Sequence, residues 1–147
     1  MYKYSFELEE LLNIKSQKED NVKNNLSKET KILDEEKNHL DYLLSLKEKE
    51  LTNFNHKGKT IKISDIEIFY TYIDNLDKKI ISQKNKVQII SNRVENIRQH
   101  LIEISKEKQI LEKIKEESFE EYKKEVLKDE DRINDEIVNF KYFSNSL

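Results

Sequence analysis

Asn55-His56-Lys57-Gly58-Lys59-Thr60-Ile61-Lys62-Ile63-Ser64-Asp65-Ile66-Glu67 holds the chain's one glycine and its clearest break. Gly58 takes φ > 0 without steric cost, so the turn is expected there. A restart follows at once. Ser64 with Glu67 reads as an S-x-x-E capping box, and Ile63 with Ile68 as a hydrophobic staple. Asp65 and Glu67 put negative charge where the helix dipole favours it. Thr60-Ile61-Lys62-Ile63 alternates with period two but is too short to read as a strand.

Downstream of the break a seven-residue repeat runs through two sets of positions. Ile66, Ile73, Ile80, Val87, Val94, Leu101 and Lys108 form one. Phe69, Leu76, Gln83, Ile90, Ile97, Ile104 and Leu111 form the other. Twelve of these fourteen are apolar, which is a coiled-coil pattern. The polar members, Gln83 and Lys108, are residues that can fix a register. Upstream the stripe is weaker. Leu12, Glu19, Leu26, Leu33, Leu40, Lys47 and Phe54 keep five apolar positions of seven; Leu8, Lys15, Val22, Glu29, Glu36, Leu43 and Glu50 keep three. Ile32, Leu44 and Leu51 flank this stripe. Ser5 reads as the N-cap, with Glu7, Glu9 and Glu10 behind it.

A stripe this narrow must be buried, and the break makes the same chain the nearest partner. The expected fold is all-α: an antiparallel coiled-coil hairpin forming a single domain over 1–147. Helix 1 is expected over about 5–54, the turn over 55–63 and a longer helix 2 over about 65–143. Dimerisation of two chains through either helix is the alternative. The helices would be about 75 Å and about 120 Å long. Pairing about the turn puts residue i opposite about 118 − i, so His39 would fall near residue 79. Residues beyond about 114 would have no helix 1 to face. That stretch stays amphipathic: Leu111, Tyr122 and Ile133 lie eleven apart, with Phe119 and Val126 between them and Ile137 and Phe140 beyond. The period moves toward 11/3. A lone helix is marginal in water, so Phe119, Tyr122, Val126, Ile133, Ile137 and Phe140 read as a stripe for a partner, against a frayed tail or a fold-back onto helix 1.

Composition agrees with long helices. Of 147 residues, 39% are charged and 35% hydrophobic, with no Pro, no Cys and no Ala. So thin an apolar fraction does not build a thick core. The 27 basic residues are answered by 30 acidic ones, leaving a net charge of −3, which argues against a nucleic-acid partner. No disulfide framework or Cys-ligated zinc is available. No signal peptide or spanning segment is read, and the cytosol is the expected location.

Catalytic chemistry is not expected either. His39, His56 and His100 show no metal-binding spacing, adjacent pairs such as Glu116-Glu117 point about 100° apart on a helix, and one glycine cannot make a phosphate-cradling loop. No cofactor is expected. Phe69 reads as core, while Tyr42, Tyr70 and Tyr72 lie off the seam and are candidate anchors.

Several stretches resemble the flagellar export protein FliJ family. They are Tyr2-Lys3-Tyr4-Ser5-Phe6 with Leu8 and Leu11-Leu12; Ile68-Phe69-Tyr70-Thr71-Tyr72-Ile73-Asp74-Asn75-Leu76 with Lys79-Ile80 and Gln83; Lys106-Glu107-Lys108 with Leu111-Glu112-Lys113-Ile114; and Glu130-Asp131-Arg132-Ile133-Asn134-Asp135-Glu136. Asp131-Arg132 stands where the family tends to have Gln-Lys. The resemblance implies a non-enzymatic stalk of the flagellar type III export apparatus, similar to the γ-subunit of rotary ATPases. It further implies binding to the export ATPase hexamer, to the membrane export gate protein and to substrate-specific export chaperones, at the cytoplasmic face of the inner membrane. Under it, Phe119, Tyr122, Val126, Ile133, Ile137 and Phe140 become the ATPase-ring candidates. Tyr72, Leu76, Lys79 and Gln83, with Tyr42, become the export-gate candidates. A scaffold or dimerising spacer with no ATPase partner is the competing reading.

Overall fold

The computed structural model describes residues 3–57 and 61–145. Two helices account for nearly all of them: α1, Glu9–His56, and the longer α2, Ile63–Asn145. The fold is therefore all-α, and within each of two compact units the α1 and α2 segments run antiparallel. One unit comprises residues 21–101; the other comprises 1–20 with 102–147.

Both helix starts differ from the capping residues read in the sequence. The first bond of α1 runs from Leu12 N–H to the Leu8 carbonyl, and the Glu9 N–H donates to the Phe6 carbonyl. Leu8 thus occupies the cap position, and Ser5 lies exposed outside the helix. Glu9 and Glu10 supply the dipole-favoured charge in place of a side-chain cap. In α2, Asp65 and Ile66 both donate to the Lys62 carbonyl, so Lys62 is the cap and Ser64 is already helical. The Ile63–Ile68 staple does not form; the two side chains are 78% and 68% exposed. Gly58 and its expected turn lie outside the described residues.

The seam holds throughout. None of the fourteen α2 seam positions is exposed, and Leu8 is the one exposed position among the fourteen assigned upstream. In the 21–101 unit, Leu33, Ile90 and Val94 pack with Leu26, Ile32 and Val87. Leu43, Leu76 and Ile80 pack with Leu40 and Leu46. Toward the end of α1 the rings of Phe54 and Phe69 stack at 3.9 Å. In the other unit the seam continues through Leu12, Ile104 and Leu111.

Facing pairs correct the expected register. Arg93 meets Glu29, Ile90 meets Leu33 and Phe69 meets Phe54, pairs whose numbers total 122 or 123 rather than 118. The offset is about one α-helical turn. Cα–Cβ bonds tilt toward each helix's own N-terminus, so in an antiparallel pair the residue met by position i lies further along α2 than backbone level alone gives.

Ile89 and Ile90 are adjacent but sit at 61% and 5% exposure. Ile90→Ala should destabilise the fold by about 2–4 kcal/mol through lost burial and a cavity. Ile89→Ala should cost under about 0.5 kcal/mol. Chemical denaturation of the two variants checks this, and equal losses would contradict the seam.

Candidate functional site

Two surfaces gather the residues singled out in the sequence. The first lies in the 21–101 unit. Tyr42, Tyr72, Leu76, Lys79 and Gln83 all line one open cleft of about 670 Å³, together with His39, Leu43, Leu46, Asn75 and Ser82. Seven-residue spacing on α2 puts Tyr72 and Lys79 on one flank, and α1 supplies Tyr42 with His39 stacked near it at 6.3 Å. Tyr42 is 60% exposed and Tyr72 41%, so each ring presents an apolar face with its hydroxyl in reach of water. Leu76 differs: it is 4% exposed and belongs to the core with Leu43 and Ile80. It forms the cleft floor. Tyr72 also borders a neighbouring cleft of about 550 Å³ that includes Phe54, Phe69 and Ile68.

Gln83 has a second duty. Its Nε2 donates to the Glu36 main-chain carbonyl at 2.9 Å and to Glu36 Oε2 at 2.6 Å. Lys86 pairs with the other carboxylate oxygen at 3.0 Å. The Gln83 bond, then that of Lys86, holds the Glu36 carboxyl below its usual 4.5. A matching layer sits in the other unit. Glu19 is 6% exposed; it accepts from Ser105 Oγ at 2.9 Å and pairs with Lys108 Nζ at 3.1 Å. The hydrogen bond to Glu19 raises the Lys108 ammonium above 10.5. The polar seam residues of α2 thus meet carboxylates in the seam of α1. The sequence marked all four positions; a register centred on 118 brings Glu36 next to Gln83 but does not pair Glu19 with Lys108.

The second surface lies on α2 beyond Leu111. Partly covered residues there are Lys115, Ser118, Tyr122, Val126 and Asp129, and every described residue after Asp129 is exposed. Ile133, Ile137 and Phe140 stand 51%, 48% and 74% exposed. Phe119 and Tyr122 are different from the reading that left this whole stretch unfaced. The Tyr4 ring meets Phe119 edge-on at 5.1 Å and Tyr122 at 5.3 Å. Tyr4 Oη donates to the Lys115 carbonyl at 3.2 Å, and Lys115 pairs with Glu9 at 2.7 Å. Lys123 Nζ lies 4.6 Å from the Phe119 ring centre. Residues ahead of α1 therefore extend along α2 past the point where α1 begins. The sequence signal was Tyr4 itself, an aromatic ahead of the first acidic turn.

Among the described residues no cluster of three or more His, Cys, Asp or Glu could hold a metal ion, and no helix is long and apolar enough to cross a membrane. A family model described as "Flagellar FliJ protein" matches residues 4–147. No curated protein and no solved structure matches the chain.

The two polar layers give opposite pH responses. Because the Glu36 pKa is lowered on folding, its contribution is present above 4.5 and is lost as pH falls through the folded value. The raised Lys108 contributes below 10.5 and loses that contribution as pH rises through its folded value. Thermal melts across the acid range should fall less steeply for Glu36→Gln than for the parent chain, and melts across the alkaline range less steeply for Lys108→Met. Parallel curves for parent and variants would contradict the two layers.

Proposed function

The chain belongs to the flagellar FliJ protein family, and on that premise we propose that it is a non-enzymatic stalk of the flagellar export apparatus. Phe119, Tyr122, Val126, Ile133, Ile137 and Phe140 bind the export ATPase ring. The cleft of Tyr42, Tyr72, Lys79 and Gln83, floored by Leu76, meets the membrane export gate protein. Export chaperones are received on the same stalk, which works at the cytoplasmic face of the membrane and requires no cofactor.

The observation that carries this reading is the open stripe on α2. Ile133, Ile137 and Phe140 follow one another at helical spacing, and each is about half exposed or more. Water-exposed apolar groups in one line gain free energy when a partner covers them. Asn134, Asp135, Glu136 and Asn139 lie between them, beside the exposed Val138, so the stripe is flanked mostly by polar side chains. The cleft supports a second contact, because its aromatic rims and its Lys79 can be covered without disturbing the seam beneath. Binding alone uses both surfaces.

Ile137→Ala with Phe140→Ala should leave melting of the free protein within about 0.5 kcal/mol, since neither side chain is buried there. The same variant should bind the export ATPase at least about tenfold more weakly, because loss of two covered apolar groups exceeds ~1.4 kcal/mol. Titration calorimetry reads the affinity. Unchanged affinity would remove the stripe from the ATPase contact. A parent-chain dimer that the double variant abolishes would favour a self-associating scaffold instead.

A further inference from the structure

We infer that residues 3–8 form a displaceable strap over the α1-proximal end of the apolar stripe, so that a partner must lift Tyr4 to take the whole stripe. This rests on reading that stripe as the ATPase-binding face.

The strap is not helical: residues 3–6 carry no regular structure and Glu7 and Leu8 make the turn into α1. Its hold on α2 centres on Tyr4. Tyr4 packs on Phe119 and Tyr122 at 5.1 and 5.3 Å. Its hydroxyl bonds the Lys115 carbonyl at 3.2 Å. That carbonyl lies inside α2, where the helix ladder already uses it. The tyrosine bond is therefore an additional one, which water can replace. The strap also divides the stripe. Phe119 is 39% exposed beside Tyr4, while Phe140 is 74% exposed beyond the strap's reach.

A partner can therefore seat on Ile133, Ile137 and Phe140 first. To reach the shielded faces of Phe119 and Tyr122 it must exchange its own apolar groups for the Tyr4 ring. The strap then acts as an intramolecular competitor. The apparent affinity is scaled down by the fraction of molecules in which the strap is open. The ring contacts of Tyr4 with Phe119 and Tyr122 and one solvent-exchangeable hydrogen bond set that fraction, so the reduction should be about threefold to tenfold.

Two measurements on the full chain test this. The first needs no partner: an environment-sensitive apolar dye is titrated against the parent, Tyr4→Phe and Tyr4→Ala. Tyr4→Ala should raise dye binding, Tyr4→Phe should raise it little, and adding Phe119→Ala to Tyr4→Ala should remove the gain. Unchanged dye binding in Tyr4→Ala would overturn the strap. The second measures affinity for the export ATPase and amide exchange over residues 3–8. Tyr4→Ala should bind about threefold to tenfold more tightly, and ATPase binding should speed exchange in the parent's strap. Weaker binding by Tyr4→Ala, or slower exchange on binding, would make Tyr4 part of the interface and overturn the proposal. Dye binding that rises while no variant binds the ATPase would keep the strap and remove the ATPase from the function.

Discussion

A two-residue-wide apolar seam carries the structure, and everything else depends on keeping it in register. The chain has too little hydrophobic material for a second layer. Each unit therefore buries one stripe of α1 against one stripe of α2 and leaves most other side chains in water. Within such a seam, apolar contacts alone tolerate sliding by a turn, because Leu, Ile and Val substitute for one another at little cost. The Glu19–Lys108 and Glu36–Gln83 layers do not. Sliding would leave a carboxylate facing a hydrocarbon, and an uncompensated polar group in the seam costs more than a mismatched methyl. These layers give up some apolar burial and in return select one pairing.

That choice has consequences at the surface. The register brings Tyr42 of α1 alongside Tyr72 and Lys79 of α2, and the cleft exists because the seam beneath them is fixed. Gln83 belongs to both levels: its amide closes on Glu36 while its flank lines the cleft. A partner covering the cleft would lie directly over a register-selecting bond. Leu76 serves it differently, by filling the seam so that the rings above have a floor.

The stripe on α2 follows another rule. Beyond Lys115, which still pairs with Glu9 of α1, the covering element changes from a helix to the short strap ahead of α1, and beyond Asp129 the described side chains are exposed. Apolar groups left mostly in water add little to the stability of the free chain. Their presence in a sequence otherwise so sparing of hydrophobic residues is what supports the proposed ATPase contact.

The sequence determined the two helices, the inequality of their lengths and both seam sets, because period and punctuation are local properties of a chain. Twelve apolar residues at seven-residue spacing allow few other outcomes once the break near Gly58 is in place. Family membership was legible for a similar reason, since ordered short motifs such as Ile68-Phe69-Tyr70-Thr71-Tyr72 survive in the linear text. Helix caps were misread at Ser5 and Ser64, where backbone geometry favoured Leu8 and Lys62 over residues with better capping side chains. Only the tertiary structure decided that Glu19 meets Lys108, because the tilt of side chains in antiparallel helices moves facing pairs further along α2. It alone also placed Tyr4 on Phe119 and Tyr122. That contact joins residues more than a hundred positions apart through a segment with no periodicity, and no local pattern encodes it.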